Sequence, residues 1–197
     1  MPPMPPVTKA LMLICTAVFC LTWLAPIGPW LALHPLQSGF MPWQPVTYAL
    51  LHRTVMELFF NMLGLWMFGA DLERLWGWKR FGQFLLVCVL TAAAMALALM
   101  WATGSYYSTS TGASAAFFGL LFATGMLFPD RTIMPLFPPI PMKMRTFLIV
   151  FGAIVLVTTL GIERNVVELS ILSGVLGAWL HIRYWRRRGR SSSRSRR

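Results

Sequence analysis

Residues 81–102 read FGQFLLVCVLTAAAMALALMWA and contain no charged side chain. A helix needs about 20 consecutive apolar residues to cross the hydrocarbon core of a bilayer, so this stretch is long enough for one membrane span. Because lipid offers no hydrogen-bond partners, an open sheet edge cannot be satisfied there, whereas a helix pairs its own backbone groups. The stretch therefore predicts an all-α membrane protein.

The composition of the whole chain agrees with this prediction. The chain has 197 residues, of which 57% are hydrophobic and 12% are charged. Soluble domains average about 45–50% apolar and about 25% charged residues, and disordered chains are less apolar still. At about 20 residues for each span, the length allows roughly five to seven helices in one polytopic membrane domain.

Apolar segments on both sides of the central stretch predict a bundle of six transmembrane helices. The six segments are Val7–Leu24, Met56–Ala70, Phe81–Ala102, Gly112–Phe128, Thr146–Ile162 and Val166–Trp185. The fourth segment is short for a hydrocarbon core of about 30 Å. We therefore expect water to reach the N-terminal end of this helix.

The basic residues predict the orientation and the partner of the C-terminus. With the N-terminus inside, all of the 17 lysines and arginines except Arg53 and Arg164 lie on the inner side. Both termini are then cytoplasmic, and the compact six-helix form indicates a bacterial inner membrane. Residues 1–185 form the membrane domain, and residues 186–197 (RRRGRSSSRSRR) form a disordered basic tail. Its position beside a span favours anionic lipid over nucleic acid, with RNA or a protein partner as the alternative.

The cysteines do not indicate a metal site or a disulfide framework. Cys15, Cys20 and Cys88 lie inside apolar segments, and no CxxC spacing occurs. We interpret them as small buried hydrophobic residues and predict no metal and no cofactor.

Ser114 stands between small residues where the fourth segment begins. One interpretation is close helix packing, since Ala115 and Gly119 have the spacing of small residues at helix contacts and Ser170/Gly174 repeat it in the sixth segment. The other is a nucleophile at a helix N-terminus, where free N–H groups can hold an oxyanion.

Polar residues of the second and sixth segments are candidates to join Ser114. Glu57 and Asn61 are four residues apart and share one helix face, with His52 just before them and Glu168 at the outer end of the sixth segment. Such groups are costly in hydrocarbon unless they face a wet or polar interior. They indicate either one outward-facing cavity or a structural polar cluster that ties helices together.

Several motifs in this order resemble the rhomboid intramembrane proteases. The resemblance covers about Val7 to Arg188 and rests on WQPVTYALLH (43–52), LFFNM (58–62), GASA (112–115), LFPDR (127–131), PIPMK (139–143) and the glycines at 174 and 177. It implies a six-helix bundle that cleaves transmembrane substrates with a serine–histidine dyad in an outward-facing cavity.

The resemblance assigns roles to individual positions. Ser114 falls on the nucleophile, Asn61 falls on an amide that helps to hold the oxyanion, and His52 matches a histidine of the first loop. The catalytic histidine falls in SILSG (170–174), where the chain has Ile171 instead. Isoleucine cannot accept a proton, and a serine needs an adjacent base to become a strong nucleophile.

Other positions depart from the family pattern as well. Glu57 replaces a histidine that assists the oxyanion, Ala115 replaces the glycine after the nucleophile, and Glu168 stands where many relatives have a further histidine. A carboxylate at position 57 repels an oxyanion unless it is protonated. Glu168 lies one helical turn from Ile171 and is the best candidate for a substitute base.

These departures predict a rhomboid-like pseudoprotease that engages transmembrane helices of client proteins without cleaving them. One alternative is an active intramembrane serine endopeptidase with Ser114 as nucleophile and an altered base. Another is a structural or assembly factor without a client in its cavity. Because inverted repeats and paired broken helices are lacking, a transporter is disfavoured. Several departures together favour natural drift or redesign over a single inactivating substitution.

Overall fold

The computed structural model describes residues 3–104, 110–135, 140–157, 170 and 172–194, with the backbone alone for 155 and 186–194. Helices dominate this part of the chain, which confirms the predicted all-α class. They are α1 (Pro6–Leu24), α2 (Gly28–Leu31), α3 (Gln44–Thr47), α4 (Val55–Gly64), α5 (Ala70–Trp76), α6 (Trp78–Thr103), α7 (Ser114–Leu127), α8 (Met144–Val157) and α9 (Ser173–Arg194).

Three helical stretches in the described ranges are long and apolar enough to cross a membrane. They are Pro6–Leu24, Val55–Trp76 and Trp78–Thr103, judged by length and composition. Ser114–Leu127 and Met144–Ile154 are apolar but shorter. These helices are those of an integral membrane protein, and they coincide with the first five predicted segments.

The second span is longer than the sequence predicts. It is expected to end near Ala70, but α4, a π-helical turn (Leu65–Gly69) and α5 form one continuous helix to Trp76. The predicted end is wrong because charged residues alone do not stop a helix. The helix ends at Gly77, whose positive φ of 79° is a conformation that glycine adopts easily.

The helix of the fourth predicted segment begins later than predicted. Gly112 is expected to open the helix, but its φ of 112° is not helical, and α7 starts at Ser114. Its 14 residues extend about 21 Å at 1.5 Å per residue, which is less than the hydrocarbon thickness.

The last two predicted segments differ from the structure at their ends. α8 begins at Met144 rather than Thr146, and residues 158–162 lie outside the described ranges.

The predicted end of the sixth helix near Trp185 is wrong, since α9 continues to Arg194. Residues 186–194, predicted as disordered, are therefore helical, because arginine is a good helix former and leaving the lipid does not end a helix. Residues 195–197 are not among those described.

A short antiparallel strand pair lies in the proline-rich connection before α8. Strand β1 (Thr132–Ile133) pairs with β2 (Met142–Lys143), with Thr132 opposite Lys143. Arg131 at the start of this connection forms a 2.6 Å ion pair with Asp71 of α5. The ion pair holds the connection against the end of the second span.

The main core forms where α5, α6, α7 and α9 meet. Its most deeply buried large side chains include Leu72, Phe81, Phe84 and Leu121, and α9 contributes Ala178. By contrast, α1 buries only Thr8, Cys15 and Phe19. The first helix therefore lies at the side of the bundle, with most of its surface turned away from the core.

A buried carboxylate attaches the start of α1 to α5. Glu73 is only 3% exposed, and its two oxygens accept hydrogen bonds from the backbone N–H groups of Val7 (2.9 Å) and Thr8 (2.8 Å) and from the Thr8 hydroxyl (2.8 Å). The first N–H groups of a helix have no partner within the helix, and negative charge is favourable at that end. Glu73 thus caps a helix that is distant in sequence.

We expect Glu73→Ala to lower the free energy of unfolding by about 3 kcal/mol, because it leaves two buried donors and one partly buried donor without an acceptor. Unfolding in mixed micelles measures the change. Asp71→Ala is the matched control, since its ion pair with Arg131 is partly exposed and is worth about 0–1 kcal/mol. An equal loss in both variants would contradict the capping role of Glu73.

Candidate active site

Ser114 is the first residue of α7 and is half-buried. The first hydrogen bond of the helix runs from Phe117 N–H to the Ala113 carbonyl (3.0 Å). The N–H groups of residues 114–116 therefore have no acceptor within the helix. A serine hydroxyl beside such donors has the arrangement that nucleophilic attack with oxyanion stabilisation requires.

Residues 110–112, just before Ser114, are held by contacts with the first loop. Ser110 forms a backbone bridge with Leu33, and Arg53 Nε donates to Thr111 Oγ1 at 2.9 Å. Gly112 N–H donates to the Tyr48 carbonyl at 2.9 Å.

The Tyr48 side chain extends this set of contacts to another helix. Its hydroxyl donates to the Val89 carbonyl of α6 at 3.0 Å. The first loop and α6 thus fix the position of the serine.

Glu57 lies close to Ser114, in the first turn of α4. Its N–H donates to the N-cap Thr54 Oγ1 (3.1 Å), and its Oε2 accepts from the Arg53 N–H (2.8 Å). This arrangement resembles a capping box, except that the carboxylate binds the residue before the N-cap. A Cβ placed on Gly112 would lie 2.5 Å from Glu57 Oε1 and 3.6 Å from Ser114 Oγ. The carboxylate and the serine hydroxyl therefore share one small region, which only a glycine at position 112 leaves open.

Asn61 lies one turn after Glu57 and is buried, with 7% of its surface exposed. Within the described part of the chain, its side-chain nitrogen Nδ2 has no hydrogen-bond partner. Asn61 borders the same cavity as Ala113 and Ala116 of α7. The structure thus brings this amide near the start of α7, and its N–H groups are free to donate to another molecule.

His52 is buried just before α4, with 6% of its surface exposed. Its Nδ1 lies 3.2 Å from the Leu50 carbonyl, and because a carbonyl only accepts, Nδ1 is the donor. Nε2 then carries the lone pair of the neutral ring, and it has no partner among the residues described. Burial lowers the pKa of His52, while the bond to Leu50 opposes this effect in part. The ring is therefore neutral at pH 7.

The start of α9 packs against α7 through small residues, as predicted. A Cβ on Gly174 would collide with the backbone carbonyl of Ala115, and one on Gly119 would lie 3.3 Å from the Gly174 carbonyl. Gly177 contacts α6 instead, near Cys88 and Thr91. The sixth predicted helix therefore packs between two neighbours.

Two of the predicted site residues lie outside the described residues, namely Ile171 and Glu168. Their described neighbour Ser173 is buried, and its hydroxyl donates to the Ser170 carbonyl at 2.5 Å. Ser173 stands in the stretch that resembles the family's glycine-rich run. Its hydroxyl thus donates to a backbone carbonyl of the same helical turn.

Some residues that shape the site were not identified from the sequence. Tyr48, Arg53 and Thr111 position the loop before the serine. The sequence signal that was available is Thr54 followed three residues later by Glu57, the spacing of a capping box. In the described ranges, no cluster of three His, Cys, Asp or Glu side chains could hold a metal ion.

Apolar spans, a short helix that begins with a half-buried serine, and polar groups from the second span define an integral membrane protein of rhomboid-like type. A family model described as "Eukaryotic integral membrane protein (DUF1751)" matches residues 9–196. The chain belongs to this rhomboid-like family of integral membrane proteins.

Similar curated proteins include bacterial rhomboid proteases. The Rhomboid protease GlpG of Pectobacterium atrosepticum is 27% identical over 128 residues, which are 64% of this chain and 45% of that protein. The Klebsiella pneumoniae protein (strain ATCC 700721 / MGH 78578) is 28% identical over 65% of this chain and 47% of its own length. The Yersinia pestis protein (strain Pestoides F) is 24% identical over 65% of this chain and 46% of its own length. The matches thus span less than half the length of these relatives.

Adding a methyl group at the contact between α7 and α9 should destabilise the bundle. We expect Gly174→Ala to lower the free energy of unfolding by about 2–3 kcal/mol, because the backbone of Ala115 cannot move without displacing α7. Gly152→Ala on α8 is the control. No atom lies within 4 Å of its added Cβ, so it should stabilise the helix by up to about 1 kcal/mol. Thermal unfolding in detergent compares the two, and stabilisation by both would rule out the close contact.

The buried neutral His52 predicts a loss of stability in acid. Its pKa is lower in the folded state than in the unfolded chain, where histidine titrates near 6.5. Below that pH the unfolded state binds the proton more readily than the folded state. The contribution of neutral His52 to the free energy of unfolding is therefore complete above pH 6.5 and is lost as the pH falls.

We expect the free energy of unfolding between pH 7 and 5 to fall more steeply in the parent than in His52→Gln. The difference is at most about 1.4 kcal/mol per pH unit. Identical slopes would mean that the folded state accepts the proton freely.

Proposed function

We propose that this chain is a rhomboid-type pseudoprotease, which holds transmembrane helices of client proteins beside α7 without cleaving them. The observation that carries the proposal is Ile171, at the position of the family's catalytic histidine. Its side chain has no atom that takes a proton, and a serine at its ordinary pKa is a weak nucleophile. Removal of a dyad member leaves only the residual catalysis of binding and oxyanion contacts.

The hydrogen bonds of two described side chains support the proposal. Glu57 Oε2 accepts from the Arg53 N–H, so this carboxylate is engaged by a backbone group of its own segment. His52 Nδ1 donates to the Leu50 carbonyl, and Nε2 has no hydrogen-bond partner among the residues described. His52 therefore does not make the hydrogen bond to Ser114 that a general base for the serine requires.

An exposed apolar face on α4 suits a client helix. Val55, Met56, Phe59 and Phe60 are all exposed, on the same helix that carries Glu57. These side chains contact lipid when no client is present. A client helix packed on this face would lie beside the start of α7, which contacts α4.

A second candidate function is an active intramembrane serine endopeptidase with a carboxylate base. Glu57 Oε1 and Ser114 Oγ both lie within 4 Å of the point where a Gly112 Cβ would stand, and this proximity favours it. Glu168 is the further carboxylate that the sequence suggests. A carboxyl group in a poorly hydrated site acts as a general base when its pKa is raised.

The proposal includes a topology and a location. Six spans with both termini in the cytoplasm follow from the apolar segments and from the placement of lysine and arginine. The bacterial relatives support an inner-membrane location, whereas the family description names eukaryotic proteins. The same proposal places the end of the membrane domain at residue 185 and the start of the basic tail at residue 186. The partner of this tail is anionic lipid rather than nucleic acid.

Cleavage of a labelled transmembrane substrate in liposomes tests the function. We expect the parent to cleave no faster than Ser114→Ala, because no histidine activates the serine; loss of a dyad member costs on the order of 10⁴-fold or more. In the same liposomes, a photocrosslinker at position 59 should capture the substrate helix. A serine-directed phosphonate that labels the parent but not Ser114→Ala, together with cleavage, would establish the endopeptidase instead.

Two further variants distinguish the carboxylates if cleavage occurs. Glu57→Gln and Glu168→Gln each keep the size of the side chain and remove its basicity. Loss of cleavage in one of them identifies the base. Absence of both cleavage and crosslinking would contradict a client at this face.

A further inference from the structure

A cavity of about 230 Å³ lies between α1, α4, α6 and α7 and is bordered by Val46, Ala49 and Leu50 of the first loop. Its walls are almost entirely apolar, with Leu11 and Cys15 from α1, Leu85 and Val89 from α6, and Leu120 from α7. Because α1 buries few of its own residues, the cavity lies under a helix that has little protein around it.

The amide of Asn61 is the exception among these apolar walls. It borders the cavity, more than nine-tenths of it is buried, and its Nδ2 is unpaired within the described residues. Buried polar groups in native proteins are almost always hydrogen-bonded. The amide therefore indicates an acceptor that comes from outside the described chain.

Water does not satisfy this requirement well. A buried water needs two to four polar partners, and Asn61 is the one polar side chain among the residues that line this cavity. A transmembrane helix does not satisfy it either. A helix is about 10–12 Å wide, too wide for a cavity of this volume, and its backbone carbonyls are already paired.

The ligand must therefore combine a slender apolar body with one acceptor. A phospholipid acyl chain has both, since methylene groups match the walls and the ester carbonyl only accepts. The bilayer around an integral membrane protein supplies such chains directly. The short α7 fits this source, because its 14 residues extend about 21 Å and a bilayer thins around a hydrophobic helix shorter than its hydrocarbon core.

We propose that this cavity binds one acyl chain of a bilayer phospholipid, whose ester carbonyl accepts a hydrogen bond from Asn61 Nδ2. The lipid fills the space between α1 and the rest of the bundle. This site is separate from client binding, since the exposed apolar side chains of α4 are on a different face from the cavity.

Photolabelling of the reconstituted full chain tests the proposal. The probe is phosphatidylcholine with a diazirine on one acyl chain, and mass spectrometry maps the labelled residues. We expect labels on Leu85 and Val89, which are buried and border the cavity, in addition to Leu90, which is exposed on the same helix. Labels confined to exposed residues such as Leu90 would overturn the proposal without any variant.

A cavity-filling variant supplies the matched comparison. Gly82 borders the cavity, and a Cβ added there meets no atom within 4 Å, so Gly82→Leu fills the space without a backbone clash. Gly152→Leu on α8 also adds a side chain where no atom lies within 4 Å, but away from the cavity. Labelling at Leu85 and Val89 should fall severalfold in the first variant and stay unchanged in the second. Equal labelling in both would overturn the cavity site.

The role of the amide is tested by lipid retention. Native mass spectrometry of the purified chain should show one retained phosphatidylcholine, and Asn61→Leu should weaken its retention about tenfold, the effect of one lost hydrogen bond. Unchanged retention would overturn the hydrogen bond to Asn61. A diazirine fatty acid that labels the buried residues more strongly than the phospholipid probe would overturn the phospholipid as the source.

Discussion

The close contact between α7 and α9 is the constraint on which the rest of the structure depends. Lipid is as apolar as a leucine side chain, so burial of apolar surface does not drive helices together within a membrane. Small residues let two backbones meet instead, and Gly174 brings α9 against the carbonyl of Ala115 with no space for a methyl group. Since Ser114 precedes Ala115, the same contact sets the position of the candidate nucleophile relative to the start of α9.

Several polar side chains in the bundle bind backbone groups of other segments or of helix ends. Glu73 pairs with the start of α1, and Tyr48 connects the loop before α7 with α6. Glu57 is the informative case, because its carboxylate accepts from the Arg53 N–H just before α4 and also lies near Ser114. The Glu57 carboxylate therefore has a structural hydrogen bond of its own as well as a position near Ser114.

Much of the fold could be predicted from the sequence. Charge-free apolar stretches predict the spans directly, because the cost of polar groups in lipid leaves few alternatives. Helix ends were predicted less well. The second span continues through Asp71 and Glu73 to Gly77, because those charges find partners in Arg131 and at α1. The start of α7 at Ser114 depends on the backbone of Gly112, which apolar content does not reveal.

By itself, the sequence determined the all-α membrane class, the rhomboid-like family and the lack of a histidine at position 171, since these follow from composition, motif order and residue identity. Only the tertiary structure decided that Glu57 lies beside Ser114, that His52 is bound to its own loop and that Asn61 is left with an unpaired donor. These facts depend on contacts between segments far apart in the chain. Such contacts are set by the packing of whole helices, which a linear pattern does not contain.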